Sequence, residues 1–134
     1  MIHAIVDVLI SNAGVQSAIG KDIEKLGYKV YETLAPQGTQ LPFVTVHYIS
    51  STADDDKDGV SDLDVIRVQV SSFAETSKEA YTISQACRTA IERYSGTNQS
   101  IVIQSVQFLT STKLYEEDAK VHHWVDDYKV RQEI

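Results

Sequence analysis

The chain has 134 residues, of which 43% are hydrophobic and 23% are charged. Its net charge of −7 disfavours a protein that binds nucleic-acid phosphates, since that mode of binding needs a basic surface. This composition is typical of a globular protein with a real core, so we expect one domain over residues 1–134. No apolar run approaches the roughly 20 residues of a membrane helix and no secretory leader is recognisable, which predicts a cytosolic product with no membrane partner.

The N-terminal segment predicts a helix. Its apolar residues recur at the spacing of one helix face, namely at Ile2, Ile5, Val6 and Leu9. Asn12 and Gly14 favour an end to this helix, because both residue types tolerate a left-handed backbone. A short helical turn is expected over residues 15–19, and residues 28–34 favour a first strand.

Two long β segments flank an acidic stretch. In residues 43–50, Phe43, Thr45, His47 and Ile49 are expected on one face, and Val44, Val46 and Tyr48 on the other. In residues 63–73, the apolar face consists of Ile66, Val68 and Val70. The two segments predict an antiparallel hairpin with a long acidic loop at its tip.

The acidic stretch matches the beginning of an EF-hand calcium loop. Carboxylates occupy the early ligand positions, at Asp54, Asp56, Asp58 and Asp62. The twelfth position, which needs a bidentate carboxylate, is Val65. An EF-hand loop also lies between helices, whereas this loop joins two expected strands. We interpret the stretch as a solvated loop tip, and a calcium- or ligand-binding module is the alternative.

The strongest helix pattern lies between residues 76 and 96. Thr76 and Glu79 have the spacing of a capping box, and Gly96 is the predicted stop. The expected apolar face consists of Ala80, Ile83, Cys87, Ala90, Ile91 and Tyr94.

Two strand segments follow this helix. Residues 100–110 form the first and residues 121–130 the second, in which Trp124, Tyr128 and Val130 share one face. Together the segments predict an α+β fold. Its sheet is mostly antiparallel with about four to five strands, two main helices pack on one face, and a long acidic loop closes the hairpin.

Few residues are candidates for chemistry. Cys87 lies on the apolar face of the second helix, which predicts a buried, inert thiol. His122 and His123 are neighbours on a strand, so they point to opposite faces and cannot share a metal ion. No nucleophile motif or phosphate-binding glycine loop is recognisable. We therefore expect no enzyme activity and no cofactor, and no metal beyond the calcium alternative.

Three stretches resemble parts of a known phage family. "LAPQGTQLPFVTVHYIS" is similar to its Ala-Pro-Gln and Leu-Pro-aromatic lead into the first long strand. "VIRVQVSSFAETSKEAYTISQACRTAIERYSG" is similar to its strand that ends in an aromatic residue and turns into the second helix. "YEEDAKVHHWVDDYKV" resembles its closing strand. Over nearly its whole length, the chain resembles the tail completion, or tail terminator, proteins of tailed bacteriophages and prophages.

The resemblance implies a structural protein of the virion. Such proteins form a ring, commonly a hexamer, at the head-proximal end of the tail tube, after assembly in the bacterial cytoplasm. The ring stops tail polymerisation and joins the tail to the head. The implied partners are further copies of the chain, the tail tube protein and the head–tail connector protein, while DNA passes through without specific binding. A head-side connector or adaptor is the alternative within the same class.

A closed ring needs two different complementary patches on each subunit. Because exposed sheet edges pair readily, we expect residues 110–120 and the last strand, residues 121–130, to form one patch. The interface candidates are Tyr115, Val121, His123 and Val125. The acidic loop is expected either to line the lumen or to become ordered on a partner, through Asp54, Asp55, Asp56, Asp58 and Asp62.

Overall fold

The periodic apolar patterns of the chain produce both helices and strands. In a computed structural model, the protein is described over residues 2–19, 29–33, 41–53, 63–98, 101–117 and 120–133. Its helices are α1 (Ile2–Ser11), α2 (Ala13–Ile19) and α3 (Ser77–Ile91). Its strands are β1 (Val30–Glu32), β2 (Phe43–Ala53), β3 (Leu63–Ala74), β4 (Gly96–Asn98), β5 (Ile101–Glu116) and β6 (Val121–Glu133). The predicted α+β class is confirmed.

The strands form one sheet in the order β1-β2-β3-β6-β5-β4. β1 pairs with β2 in parallel, and the other neighbouring pairs are antiparallel. The predicted pairing of β2 with β3 is confirmed by a register that runs from Phe43 opposite Phe73 to Ala53 opposite Asp64. The last strand, β6, inserts between β3 and β5.

The helices cover one face of this sheet, where alternating strand residues are apolar. The fully buried side chains of the two hairpin strands include Val44, Val46, Val68 and Val70. The helices contribute Ile5, Val6 and Leu9 from α1 and Ala80, Ile83, Cys87 and Ile91 from α3. The apolar residues predicted for these helix faces are therefore in the core wherever their side chains are described, except that Ala90 and Tyr94 are only partly buried. None of the described helices has the length and apolarity needed to cross a membrane.

The predicted start of the long helix is confirmed. The Thr76 hydroxyl accepts a hydrogen bond from the Glu79 N–H at 3.1 Å, which satisfies one of the unpaired donors at the helix start. Near the other end, the Arg88 guanidinium lies 3.8 Å from the centroid of the Phe108 ring and pairs with Glu92. A cation over an aromatic face is attractive, so this contact helps to hold α3 against β5.

The predicted helix stop at Gly96 is wrong. α3 ends at Ile91, because Glu92 is extended and Arg93 takes a left-handed backbone with φ of 63°. The chain then turns back, and Gly96 begins β4, a strand of three residues paired with the start of β5. The described sheet therefore has six strands, rather than four to five. A strand this short carries no periodic apolar pattern, so the sequence does not indicate it.

The N-terminal region also differs in detail from the prediction. Asn12 does end α1, but its side-chain oxygen accepts a hydrogen bond from the Val15 N–H at 3.1 Å and so begins a second helix, α2. The short helical turn predicted over residues 15–19 is confirmed as α2, which begins at Ala13, so the described residues contain this short helix besides the two main ones, α1 and α3. The strand expected over residues 28–34 is limited to β1, and residues 28 and 34 lie outside the described part of the chain.

The alternation predicted for β2 fails near its middle. The register shifts between Tyr48 and Ser50, which is a β-bulge. Tyr48 does not share the buried environment of Val44 and Val46, since its side chain is 50% exposed. β5 is longer than expected and continues to Glu116 as the outer partner of β6.

Candidate functional site

The predicted acidic loop connects two paired strands. Its carboxylates, Asp54, Asp55, Asp56, Asp58 and Asp62, lie outside the described residues. On either side of them, β2 and β3 pair up to Ala53 and Asp64. This strand framework differs from the two helices that flank an EF-hand loop. Calcium binding by these carboxylates remains an untested alternative.

A row of aromatic and apolar side chains crosses the sheet face opposite the helices, which we call the open face. The register aligns Phe43 with Phe73, and Phe73 with His123. The Phe43 and Phe73 rings stack with centroids 4.7 Å apart, and the Phe73 and His123 rings are 4.6 Å apart. Leu114 of β5 lies opposite His123 and extends the row. Cross-strand pairs of this kind stabilise a sheet, so the row joins four strands at one end.

His123 is the titratable member of this row. Its side chain is buried, and burial lowers the pKa of the imidazole, while the nearby carboxylate of Glu116 opposes that shift. The distance from His123 Nδ1 to Glu116 Oε1 is 3.8 Å. His122 lies on the other face, with its ring 4.5 Å from that of Tyr115. The two histidines therefore diverge, and in the described part of the chain no three His, Cys, Asp or Glu residues form a group that could hold a metal ion.

The four residues predicted for a subunit interface do not form one patch. Val121, His123 and Val125 share the open face of β6, and all three are at least partly buried. Tyr115 lies on the other face of β5 and is 51% exposed. The prediction that the last strand offers a free edge is wrong, because β6 pairs on both sides, with β3 and with β5. Its open-face residues could meet another subunit only through their side chains.

Two strands of the sheet have edges that are only partly covered. β1 pairs with residues 44–46 of β2, and β4 pairs with residues 101–103 of β5. Within the ranges that the structure describes, residues 47–53 of β2 and residues 107–116 of β5 have no strand on their outer side. We call these segments the β2 free edge and the β5 free edge. The expected arm over residues 110–120 supplies most of the β5 free edge.

A polar cluster lies buried beneath α3, and no sequence motif indicates it. Asp126 on β6 is only 1% exposed and accepts a hydrogen bond from the Ser84 hydroxyl of α3. Burial raises the pKa of Asp126, although hydrogen bonds from Ser111 and Ser84 oppose the shift. The fully buried Tyr128 hydroxyl has no hydrogen-bond partner among the described residues. Strand alternation is the one sequence signal that places Asp126 on the buried face, because it has the same parity as Trp124 and Tyr128.

The thiol of Cys87 belongs to this buried region. Burial, reinforced by the charge of Asp126, raises its pKa to about 12. A thiol that stays protonated at neutral pH is a poor nucleophile. The prediction that Cys87 is buried is confirmed.

Comparisons with known proteins place this architecture in a family. The chain has the fold of a chain in the solved structure titled "Virion of native gene transfer agent (GTA) particle", with a TM-score of 0.74 and 17% sequence identity. That match covers 100% of this chain and 95% of the other. No curated protein sequence matches this chain. The family model described as "Tail completion protein gp17" matches residues 3–133. The chain therefore belongs to the tail completion protein gp17 family and is a structural protein of the bacteriophage tail.

Proposed function

We propose that this protein forms a ring at the head-proximal end of the tail tube, where it stops tail polymerisation and joins the tail to the head connector. The observation that carries this proposal is the family match over residues 3–133. A protein that completes a tail acts where the growing tube ends, and a closed ring fits the end of a tube. The fold shared with a chain of a gene transfer agent virion supports association with other tail or head proteins.

A ring of identical subunits requires a head-to-tail contact that closes on itself. Each subunit then presents two different surfaces, one to each neighbour. The sheet supports this arrangement because its two partly covered edges belong to different strands on opposite sides of the sheet. A two-fold dimer, in contrast, would use one surface twice and leave the other unused.

The acidic loop has one of two roles in such a ring. In the lumen, the carboxylates of residues 54–62 would repel DNA at short range, since charges are screened beyond about 8 Å at physiological salt. At the rim, the same residues would instead become ordered on the tube or connector. Replacing all five aspartates with asparagine separates these roles. A lumen role predicts joined virions with altered DNA release, and a rim role predicts tails that fail to join heads.

The proposed function is tested by an early stop codon in the gene, with a complemented strain as the control. Electron microscopy of the lysates should show overlong or irregular tails that are not attached to filled heads. Tails of normal length beside heads that lack a neck would instead indicate a head-side connector. Intact virions would refute a structural role in tail completion.

A further inference from the structure

The β2 free edge and the β5 free edge expose unpaired backbone groups together with apolar side chains. Among the described residues, six large hydrophobic side chains are exposed, and five of them lie on these two strands: Tyr48, Ile49, Leu109, Leu114 and Tyr115. Proteins often protect exposed strand edges with lysine, proline or a β-bulge. The β2 free edge contains no lysine or proline, and the β5 free edge contains Lys113 alone. Each edge has one β-bulge, between Tyr48 and Ser50 and between Phe108 and Thr110, and beyond it the register with the inner strand is regular. Both edges therefore have the properties of strands that pair with another chain.

The direction of the backbone groups on β5 follows from its hydrogen bonds. In an antiparallel pair, the N–H and C=O of one residue point to the same side, and successive residues alternate. The Val106 carbonyl accepts a hydrogen bond from the Arg93 N–H, so the backbone N–H and C=O of Val106 point away from β6. The backbone N–H and C=O of its partner Val130 therefore point away from β5. Those of Trp124 do so too, because Trp124 has the same parity on β6. Lys113, opposite Trp124, consequently directs its N–H outward from the sheet.

The same reasoning applies to β2. The Val46 carbonyl accepts a hydrogen bond from the Thr33 N–H at 2.8 Å, so the backbone N–H and C=O of Val46 point away from β3. Val46 lies opposite Val70, and Ile66 has the same parity as Val70 on β3. Ser51, opposite Ile66, therefore also directs its backbone N–H and C=O outward. Each free edge thus has outward donors and acceptors near its middle.

The strand directions favour joining these two edges to each other. The four long strands β2, β3, β6 and β5 alternate in direction, so β2 and β5 run oppositely. A second copy placed beside the first by rotation about a ring axis brings its β2 next to the first copy's β5 in antiparallel orientation. Repeating this step uses a different edge on each side, as a closed ring requires.

The offset between the free edges is also compatible with a ring. Thr112, in the middle of the β5 free edge, is level with Ser71 of β3, whereas Ser51 on β2 is level with Ile66. These levels are about 17 Å apart along the strand at about 3.3 Å per residue, and the four strands span about 19 Å across. Joining the edges therefore tilts the strands by about 40° from the ring axis, which is within the tilt of about 35–45° typical of closed sheets.

We propose that the β5 free edge of one copy pairs antiparallel with the β2 free edge of the next copy, so that the sheets of the subunits join head to tail around the ring. This inference rests on the proposed function, because it assigns the contact that closes the proposed ring. The backbone pairing supplies the hydrogen bonds, and the exposed tyrosine, leucine and isoleucine side chains are covered by it.

Cysteine cross-linking in finished tails tests the contact directly. The native thiol of Cys87 is buried and does not interfere. In a Ser51→Cys/Lys113→Cys variant, a short bismaleimide should link neighbouring subunits into a ladder of covalent multimers on a denaturing gel. A matched Gln85→Cys/Lys113→Cys variant, whose residue 85 is exposed on α3, should give no ladder. Cross-linking within either single-cysteine variant would overturn the proposal, since it would show that one edge pairs with its own kind.

Proline scanning separates backbone pairing from side-chain contact. Lys113→Pro removes an outward N–H and no hydrogen bond to β6, whereas Lys113→Ala keeps the N–H. We expect unfinished tails, as with the stop codon, from Lys113→Pro and finished tails from Lys113→Ala. Ser51→Pro should reproduce the defect from the β2 side. Each variant should have the same urea unfolding midpoint as the wild type. If a proline variant unfolds at a lower urea concentration, the cross-linking result decides whether the two edges pair.

The two proposals fail in different ways. If the stop codon leaves virions intact, the proposed function is refuted. If the stop codon blocks tail completion but Lys113→Pro finishes tails and the Ser51→Cys/Lys113→Cys variant gives no ladder, the edge pairing alone is refuted.

Discussion

Removing the Tyr128 hydroxyl should make the folded protein more stable. This hydroxyl is fully buried and has no hydrogen-bond partner among the described residues, and the nearby charge of Asp126 adds to the burial that raises its pKa. An unpaired buried polar group costs about 1–3 kcal/mol of stability, so its removal is a gain. Removing the oxygen also removes its van der Waals contacts, which offsets less than about 1 kcal/mol of that gain. Tyr128→Phe should therefore increase the free energy of unfolding by about 1 kcal/mol.

Urea unfolding provides the assay. Trp124 is the sole tryptophan, and its indole N–H donates to the Ser77 carbonyl, so its fluorescence reports the packing of α3 on the sheet. With a urea dependence of about 1.5 kcal/mol per M, the midpoint should rise by about 0.7 M. Tyr115→Phe is the matched control, because that ring is 51% exposed and its hydroxyl should contribute little. A fall in the midpoint for Tyr128→Phe alone would refute the reasoning, since it would mean that the hydroxyl is paired.

Three further predictions concern the remaining polar residues. Because burial raises the pKa of Asp126 above its ordinary 3.8, its contribution to stability is present at low pH and is lost as the pH rises through the folded-state value. Asp126→Asn can still accept from Ser84, and it should gain stability relative to the wild type as pH rises from 4 to 8 in thermal unfolding. Thr76→Ala should lower the free energy of unfolding by about 1 kcal/mol in urea, through loss of the helix cap. Calorimetric titration with calcium should give no more heat than a variant with Asp54, Asp56 and Asp58 changed to asparagine, and a saturable excess would restore the calcium alternative.

Local periodicity was sufficient to predict much of the core. The alternation of Ile66, Val68 and Val70 identified the buried face of β3, and the helical spacing of Ile83 and Cys87 identified that of α3. These patterns depend only on which side of an element faces the core. The same alternation places Asp126 in the core beside Tyr128, but a carboxylate at such a position reads as a surface residue until its partners are known.

The β-bulge and the short strand show where local patterns stop being informative. The register shift after Tyr48 adds one residue to β2, so the residues beyond it no longer follow the earlier alternation. β4 exists only because the chain returns onto β5 after α3. Both features depend on the partner strand, and neither has a composition of its own.

The position of β6 shows why an edge is harder to predict than a face. Its polar residues, such as Asp127 and Lys129, alternate with buried ones, and that pattern fits any strand of an antiparallel sheet with one solvated face. Whether such a strand is central or peripheral depends on pairings between distant parts of the chain, such as Asp64 with Gln132. In the proposed ring, this distinction decides which strands can form the interface between subunits. Substitutions on the open face of β6 should therefore act on subunit stability, and substitutions on the β5 free edge should act on ring assembly.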